Sequence, residues 1–385
     1  MNIQTHVPAH IRAIAPYQAG KPIAELAREY GLEQSAIIKL ASNENPLGMS
    51  PKALQALQSV GDGLGHGLGH ELGRYPDANG FYLKAALARK YAVPTDWLTL
   101  GNGSNDILEL AALAFLTPGV NALYSDHAFA VYALATQARG AGAVVVPARA
   151  LGHDLPAMLA GIDGQVRLVF IANPNNPTGT LLGGAAIADF LAGVPEDVVV
   201  VLDEAYNEYL APEQRYDAIE FVRRHPNLLL SRSFSKAYGL AGLRVGYGVA
   251  QPGLTELLNR VRQPFNVNTL AQAAAAAALF DDAFLRQTYD LNQTGLRLLE
   301  AGFRALQLEF VPSAGNFVLV KVGNTPDAGQ RVFVELLRRG IIVRPVGNYG
   351  LPQWLRVSVG LPAENAAFLA ALPLALQQAR NPAVA

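Results

Sequence analysis

The stretch Val198–Tyr206, VVVVLDEAY, places a run of valines and a leucine directly before Asp203. A continuous apolar run of this length is typical of a strand buried on both faces, as in a parallel sheet covered by helices. Open α/β sheets bind ligands beyond the carboxyl ends of their strands, so a carboxylate at this point indicates a site as well as a fold. The alternative role for Asp203 is to cap a following helix.

Similar short apolar runs recur through the middle of the chain, with helix-length stretches between most of them. The other predicted strands are Val120–Tyr124, Ala143–Val146, Val166–Ala172, Leu228–Ser231 and Val245–Ala250, and helices are expected at Pro51–Val60, Asn105–Leu116 and Leu254–Arg262. This alternation predicts an α/β fold with a mostly parallel central sheet.

The pattern changes near Pro264, where a long helical stretch is expected from about Thr269 to Leu306. The segments after it are Asn316–Val320, Val332–Arg339, Ile341–Arg344, Leu355–Val359 and Glu364–Ala379, which suggest a smaller α+β unit. We expect residues 45–270 to form a large cofactor-binding domain. Residues 1–44 and 271–385 are expected to form a small domain from both termini.

Composition excludes several classes of protein. The chain has 385 residues, 51% of them hydrophobic, which is enough for a sizeable core and too long for one ordinary domain. Thirty Lys and Arg against 31 Asp and Glu give a net charge of −1 without a basic stripe, which argues against a nucleic-acid partner. The absence of cysteine excludes disulfides, thiolate metal sites and a cysteine nucleophile.

Export and membrane insertion are also not expected. The first residues lack the basic start and apolar run of a signal peptide, and every apolar run is shorter than the roughly 20 residues that span a bilayer. We therefore expect a soluble, cytoplasmic protein that acts on small molecules. The glycine-rich stretch Gly61–Gly73 is predicted to be a flexible loop, because glycine disfavours regular structure. A metal pair of His66 and His70 within it is disfavoured for the same reason.

The stretch Ser231–Gly246, SRSFSKAYGLAGLRVG, contains a candidate nucleophile. Lys236 lies between a predicted buried strand and a glycine-rich turn, where desolvation can lower its pKa and make the amine able to form a Schiff base. The neighbouring serines and Arg244 would suit the phosphate of pyridoxal phosphate. Read alone, a lysine after serines is usually a surface residue.

Asp203 has a specific use with this cofactor, since a carboxylate beside the pyridine nitrogen keeps it protonated and able to delocalise a carbanion. Tyr206 and Asn176, the latter in the turn NPNNPTG at Asn173–Gly179, could donate to the phenolic oxygen. Packing alone could explain the tyrosine, and a simple turn could explain the asparagine.

Two further patterns fit the same ligand. The stretch Leu100–Asp106, LGNGSND, reads as a strand end followed by a helix start, which forms an anion site. In Asp126–Tyr132, DHAFAVY, Phe129 could stack on the pyridine ring, although core packing is an equally good explanation.

In their order along the chain, these residues resemble the fold-type I pyridoxal-phosphate aminotransferases. The resemblance covers essentially the whole chain and is closest to the histidinol-phosphate aminotransferase family. It rests also on PYQAGKP at Pro16–Pro22, LASNENPLG at Leu40–Gly48, RYPD at Arg74–Asp77 and GIIVRPVGNYGLPQWLRVSVG at Gly340–Gly360. Gly61–Gly73 departs from the family pattern as an insertion just before Tyr75.

The resemblance implies a role for each matching residue. Lys236 would form the Schiff base and move the proton, Asp203 would pair with the pyridine nitrogen, and Asn176 and Tyr206 would bind the phenolic oxygen. The phosphate would be held by Gly103, Ser104, Asn105, Ser233, Ser235 and Arg244, with Tyr75 reaching it from the second subunit of a homodimer. The substrate would be bound by Arg356, Arg344, Tyr17 and Asn45.

The resemblance implies transamination between histidinol phosphate and 2-oxoglutarate. An arginine fork can grip either a phosphate ester or a carboxylate, so one site can accept both substrates. An aromatic amino-acid aminotransferase is the first alternative, since Arg356 would also bind an α-carboxylate. A phosphothreonine decarboxylase-like enzyme, a cofactor-sensing transcription regulator and a cofactor-free homologue are weaker alternatives. A regulator would need an additional DNA-binding domain. A cofactor-free homologue is disfavoured because every predicted catalytic position is filled.

Overall fold

The computed structural model describes residues 3–16, 20–60 and 67–380. Its strands are β1 (Ile38–Lys39), β2 (Leu98–Gly101), β3 (Asn121–Ser125), β4 (Gly142–Val146), β5 (Val166–Ala172), β6 (Val199–Asp203), β7 (Leu228–Ser233), β8 (Gly246–Val249), β9 (Phe310–Val311), β10 (Phe317–Lys321), β11 (Ile341–Ile342), β12 (Arg344–Pro345) and β13 (Trp354–Ser358).

Helices fill most of the intervening sequence. They are α1 (Ala9–Arg12), α2 (Ile23–Tyr30), α3 (Pro51–Gln58), α4 (Gly67–Leu72), α5 (Phe81–Tyr91), α6 (Ser104–Phe115), α7 (Ala130–Ala138), α8 (Leu155–Ala160), α9 (Gly184–Gly193), α10 (Ala218–Arg224), α11 (Pro252–Val261), α12 (Thr269–Ala278), α13 (Asp282–Ala305), α14 (Ala328–Leu337) and α15 (Pro362–Arg380).

Seven strands form the main sheet in the order β2-β8-β7-β6-β5-β3-β4. Strands β3 to β7 run parallel, whereas β8 is antiparallel to both β7 and β2. The prediction of an α/β fold with a mostly parallel sheet is therefore confirmed. The apolar runs form central strands of this sheet. Helices cover both faces of the sheet, so water is excluded from the side chains on each face.

The two faces of β6 lead to two different environments. Val199 and Val201 pack in one hydrophobic cluster, while Val200 and Leu202 pack in another on the opposite face. By this alternation Asp203 belongs to the first face, and Glu204 to the second. Glu204 is buried there in an ion pair with Arg232 of β7, with Nη2 and Oε2 2.7 Å apart.

A second sheet, ordered β12-β13-β10-β9, is antiparallel throughout. Near it, β1 pairs in parallel with β11, which ties the N-terminal segment to the last third of the chain. A hydrophobic cluster shared by β10, β13, α13, α14 and α15 forms the core of this part.

Three local expectations are corrected. The helix expected from Thr269 to Leu306 is two helices, because Asp281 caps α13 by accepting a hydrogen bond from the Phe284 backbone N–H. The strand expected at Ile341–Arg344 divides between two sheets, since β11 pairs with β1 and β12 pairs with β13. The helix expected from Val332 begins earlier, at Ala328.

Most of the described part of the glycine-rich stretch is helical, where a flexible loop was expected. Residues Gly67–Leu72 form the short helix α4, where four of six residues are not glycine and can hold a helical turn. His70 lies in this helix, whereas His66 lies outside the described residues. Among the described residues, no group of three or more His, Cys, Asp or Glu side chains could hold a metal ion.

Helix α12 bears on the domain boundary. Its alanines, with Ala271 and Ala275 fully buried, pack in the same cluster as the strands of the main sheet. We therefore propose that the boundary lies near Asp281, later than residue 270, and that residues 1–44 complete the small domain. No described helix is both long and apolar enough to cross a membrane.

Candidate active site

A cavity of about 880 Å³ opens at the carboxyl ends of the parallel strands. Predicted site residues from both halves of the chain line it, namely Ser104, Asn105, Phe129, Asn176, Asp203, Tyr206, Ser233, Ser235, Lys236, Arg244, Arg344 and Arg356. The position agrees with the rule that open α/β sheets bind ligands at this edge.

Lys236 lies in the turn that follows β7. Its Nζ donates a hydrogen bond to the backbone oxygen of Ser42 at 2.9 Å. Burial, followed by the positive charge of Arg356, lowers the pKa of Lys236 to about 7. A large share of the amine is therefore neutral near pH 7, and a neutral amine is the form that attacks a carbonyl.

Asp203 ends β6 and is almost completely buried. Tyr132 Oη donates to Asp203 Oδ2 at 3.0 Å, and the Ala205 backbone N–H donates to Oδ1 at 3.3 Å. Burial raises the pKa of Asp203 to about 6, while these two hydrogen bonds oppose the shift. A carboxylate held in this way would pair well with a protonated ring nitrogen.

Tyr206 and Asn176 line the same cavity as Asp203. Burial raises the pKa of Tyr206 to about 12, so its hydroxyl keeps a proton to donate. Arg356 Nη1 donates to Asn176 Oδ1 at 2.6 Å, and because arginine has no acceptor this contact must use the amide oxygen. The amide Nδ2 of Asn176 is then turned away from Arg356 and can donate elsewhere.

Gly103, Ser104, Ser235 and Arg244 surround the start of α6, and we call this group the anion cup. Gly103 is the N-cap with φ +86°, and no side chain caps this helix end. A Cβ at Gly103 would collide with the guanidinium of Arg244. Arg244 Nη1 also donates to Ser235 Oγ at 3.4 Å, and the Ser235 backbone N–H donates to Ser233 Oγ at 3.0 Å.

A helix N-terminus, a guanidinium and serine hydroxyls suit a phosphate dianion. Together with Lys236 and Asp203 they fit pyridoxal phosphate at both of its ends. The fit rests on the chemistry of the donors and on the close approach of backbone and arginine at Gly103.

Arg344 and Arg356 lie directly opposite each other on β12 and β13. Both are buried, with 8% and 6% of their surface exposed. Like charges on directly opposed residues repel, and an anion between them would relieve the repulsion. The cavity therefore combines an amine nucleophile, a buried carboxylate and a pair of arginines.

Two predicted ligands lie away from the cavity. Asn45 is buried, but its Nδ2 donates to Ala237 O at 2.9 Å and to Thr288 Oγ1 at 3.0 Å, and its Oδ1 accepts from the Leu47 backbone N–H. These contacts tie the side chain to neighbouring groups of the protein, and its proposed contact with the substrate stays a prediction of the sequence. Tyr75 is 81% exposed and stacks on an aromatic ring of its own chain.

One further predicted ligand, Tyr17, lies outside the described residues. Its proposed contact with the substrate stays a prediction of the sequence.

Two residues at the site were not predicted. Tyr132 follows Phe129 by three positions in the quoted stretch DHAFAVY, so helical spacing could have placed them on one face. Asn43 lines the cavity and donates from Nδ2 to Tyr206 Oη at 3.0 Å. Its contact spans 163 residues of sequence, and no local pattern signals it.

Comparisons with known proteins show which family the chain is similar to. Residues 35–372 match the family described as aminotransferase class I and II. Histidinol-phosphate aminotransferase 2 of Ralstonia nicotianae is 66% identical over 97% of both chains. Histidinol-phosphate aminotransferase 1 of Cupriavidus pinatubonensis is 65% identical over 96% of both. The structure of histidinol-phosphate aminotransferase from Sinorhizobium meliloti in complex with pyridoxal 5'-phosphate is 28% identical, covers 97% of this chain and 98% of that one, and gives a TM-score of 0.88.

Proposed function

This chain belongs to the class I and II aminotransferases, and we propose that it is a pyridoxal-phosphate enzyme that transfers an amino group between L-histidinol phosphate and 2-oxoglutarate. The products are imidazole acetol phosphate and glutamate, a step of histidine biosynthesis. Similarity over almost the whole chain to relatives of that name carries the choice of substrate. The paired arginines, which line the same cavity as Lys236, support an anionic substrate.

Pyridoxal phosphate, when bound, supplies an electron sink that makes the Cα–H bond of an amino substrate acidic. Lys236 Nζ, with its lowered pKa, would take the Cα proton of the substrate and return it to the carbonyl-derived carbon of the cofactor, on the other side of the nitrogen that joins the two molecules. The carboxylate of Asp203 would keep a proton on the ring nitrogen of the bound cofactor, and Tyr132 orients that carboxylate through its hydrogen bond. The anion cup of Gly103, Ser104, Ser235 and Arg244 would hold the phosphate of the cofactor.

Arg356 is proposed to bind the phosphate ester of the donor or the α-carboxylate of 2-oxoglutarate, which is attached at the corresponding position beside the reacting carbon. Its Nη2 donates to the Ala41 backbone oxygen at 2.6 Å, and Nη1 donates to Asn176, so the fork is held in one orientation. Preorganised donors bind an anion with less loss of side-chain entropy. Arg344, opposite it, adds a second positive charge.

We also propose a homodimer with active sites shared between subunits. Tyr75, Tyr82 and Phe81 are exposed by 81%, 81% and 64%, which is unusual for large aromatic side chains. The Asp77 side chain accepts a hydrogen bond from the Phe81 backbone N–H at 2.7 Å, which ties the segment after Tyr75 to the start of α5. A second copy would cover these aromatic side chains and bring Tyr75 to the partner's anion cup. A cytoplasmic location stays a prediction of the sequence.

A single half-reaction tests the substrate. Holoenzyme is mixed with histidinol phosphate, or with phenylalanine, without any oxo acid, and the loss of the Schiff-base absorbance is followed. We expect histidinol phosphate to react at least about tenfold faster, a difference of roughly 1.4 kcal/mol in transition-state binding. Faster reaction with phenylalanine would favour an aromatic amino-acid aminotransferase. Release of carbon dioxide from phosphothreonine would favour a decarboxylase.

A further inference from the structure

Asn43 is a buried residue between the two sheets that is held in an unusual backbone conformation. It is 1% exposed and has a φ of +54°. A non-glycine residue occupies the left-handed region mainly where its surroundings impose it. Asparagine is one of the few non-glycine side chains that enter this region readily, so the residue suits the conformation and its role follows from its contacts.

Every polar group of Asn43 has a partner. The backbone N–H donates to Ser358 Oγ at 2.8 Å, and the backbone oxygen accepts from Asn316 Nδ2 at 3.0 Å. The side-chain Oδ1 accepts from Ser358 Oγ at 2.9 Å, and Nδ2 donates to Tyr206 Oη at 3.0 Å. The residue thus bridges β13 to the tyrosine at the cavity.

The direction of these hydrogen bonds follows from counting protons. Ser358 Oγ accepts the Asn43 backbone N–H, and its single proton is left for Asn43 Oδ1. The amide oxygen is thereby occupied, so the amide presents Nδ2 to Tyr206. Because Tyr206 Oη accepts a hydrogen bond from Asn43 Nδ2, the hydroxyl proton of Tyr206 is free to point elsewhere.

We propose that Asn43, anchored by Ser358, is a positioning residue that directs the hydroxyl proton of Tyr206 into the cavity, toward the phenolic oxygen of pyridoxal phosphate. This inference rests on the proposed function. Donation from Nδ2 also polarises the tyrosine hydroxyl and strengthens the bond that it gives. Other groups that act electrostatically on this hydroxyl are Arg356, Asp203 and Tyr349.

The anchor also links this device to the substrate site. Ser358 and Arg356 are two positions apart on β13, so their side chains project from the same face of the strand. Ser358 donates a hydrogen bond to Asn43, and Arg356 donates one to Asn176. Both donors proposed for the phenolic oxygen are therefore set by neighbouring side chains of one strand.

The test measures the pKa of the Schiff base that Lys236 forms with the cofactor, read from the visible absorbance of the holoenzyme as a function of pH. A hydrogen bond to the phenolic oxygen stabilises its negative charge and lowers this pKa. Asn43→Gly removes the side chain and suits the positive φ. We expect it to raise the titration midpoint by roughly half a pH unit, less than the loss of a whole hydrogen bond in Tyr206→Phe.

Matched variants separate positioning from general loosening. Asn365→Ala removes another fully buried asparagine, whose contacts are to Gly360, and should leave the midpoint unchanged. In the Tyr206→Phe background, Asn43→Gly should cause no further shift. Ser358→Ala should raise the midpoint in the same direction, and it carries the test if Asn43→Gly does not fold.

An unchanged midpoint in both Asn43→Gly and Ser358→Ala would overturn the inference. So would an equal shift with and without the Tyr206 hydroxyl, because Asn43 would then act by another route. A wild-type protein that forms no lysine Schiff base with pyridoxal phosphate would overturn the proposed function together with this inference.

Discussion

Burial acts in opposite directions on the two ionisable groups at the centre of the cavity. It lowers the pKa of Lys236 to about 7 and raises the pKa of Asp203 to about 6. The lysine is therefore poised near neutrality, while the carboxyl group still ionises at pH 7. At the scale of single residues, the same desolvation produces both a usable base and a usable counter-charge.

A pH prediction follows for Lys236. Because its folded-state pKa is lowered, the neutral amine predominates above about pH 7, whereas an ordinary lysine would need pH 10.5. The rate at which apoenzyme forms the Schiff base with pyridoxal phosphate should therefore rise through pH 7. Stopped-flow absorbance measures it, with the exposed Lys52→Arg variant as control. A midpoint above about pH 9 would contradict the assignment.

Asp203→Asn should leave the cofactor bound and slow Cα proton removal by at least about 100-fold, because an amide cannot hold the charge of a protonated ring nitrogen. Single-turnover decay of the Schiff-base absorbance gives the rate. Tyr132→Phe keeps the carboxylate and loses one hydrogen bond, so a slowing of about tenfold or less is expected. If the single-turnover rate of Asp203→Asn decreases by less than about tenfold, or roughly 1.4 kcal/mol, the proposed role of Asp203 at the ring nitrogen is wrong.

Arg356→Lys should weaken the binding of both histidinol phosphate and glutamate, since the lysine keeps the charge but lacks the planar guanidinium fork. We expect KM for each to rise by about tenfold or more, with kcat changing less. Arg297→Lys, on an exposed face of α13, serves as control. Weakening of only one substrate would indicate separate anion sites and would assign the other to Arg344.

At the scale of elements, the anion cup depends on backbone geometry that few residues can adopt. Gly103 combines a φ of +86° with direct contact to Arg244, so a side chain would both strain the backbone and displace the arginine. The serines at the end of β7 and the start of α6 meet there because β8 returns antiparallel between β7 and β2.

Gly103→Ala should therefore weaken binding of pyridoxal phosphate by about 10- to 100-fold, as expected for loss of a charge-assisted hydrogen bond. Pyridoxal, which lacks the phosphate, should bind equally to both proteins. Gly242→Ala is a matched control close to Arg244, because nothing lies within 4 Å of its added Cβ. Fluorescence titration of apoenzyme measures both affinities. Equal weakening of the two ligands would argue against a phosphate cup at Gly103.

Elements with strong local signals were predictable from the sequence. The strand Val166–Ala172 has the bounds that its apolar run predicts, because both of its faces are buried. The break before α13 was missed, since it depends on Asp281, which also accepts a hydrogen bond from the distant Ser50. Helix α4 was missed because glycine content outweighed the helix-forming residues between the glycines.

The residues of the candidate site also differ in whether the local sequence predicts them. Lys236, Asp203 and Gly103 lie in short motifs whose chemistry is readable, and the structure places each at or beside one cavity. Asn43 and Ser358 were not predicted because their roles arise from a contact between segments 315 residues apart. Asn45, which the resemblance predicts as a substrate ligand, donates from its amide to the backbone oxygen of Ala237, 192 residues away, and no local pattern signals that contact.

At the scale of the whole molecule, one proposed ligand of the phosphate is missing from the cavity of its own chain. Tyr75 stacks on Phe265 with ring centroids 4.6 Å apart, and Gln272 of α12 donates to the backbone oxygen of Asp77 at 2.9 Å. The segment is therefore held in place although its tyrosine is exposed. A second copy of the chain is the simplest receiver for a side chain presented in this way.

A mixed dimer tests this arrangement. Lys236→Ala and Tyr75→Ala chains, each with a different affinity tag, are co-expressed and the heterodimer is isolated. If Tyr75 serves the partner's cavity, the active site that lacks the lysine also lacks the tyrosine, and the other site receives neither lesion. About half of the wild-type activity per dimer should then return. Phe81→Ala replaces Tyr75→Ala in the control, since it removes another exposed aromatic residue that lies close in sequence.

The expected recovery depends on how much Tyr75→Ala impairs the parent enzyme. A charge-assisted hydrogen bond to phosphate contributes roughly 1.5 to 3 kcal/mol, so the Tyr75→Ala homodimer should bind the cofactor at least about tenfold more weakly. If Tyr75 instead served its own chain, each site of the heterodimer would carry one lesion. Activity would then stay at the level of the parental variants, and this result would refute the shared site even if the protein is a dimer.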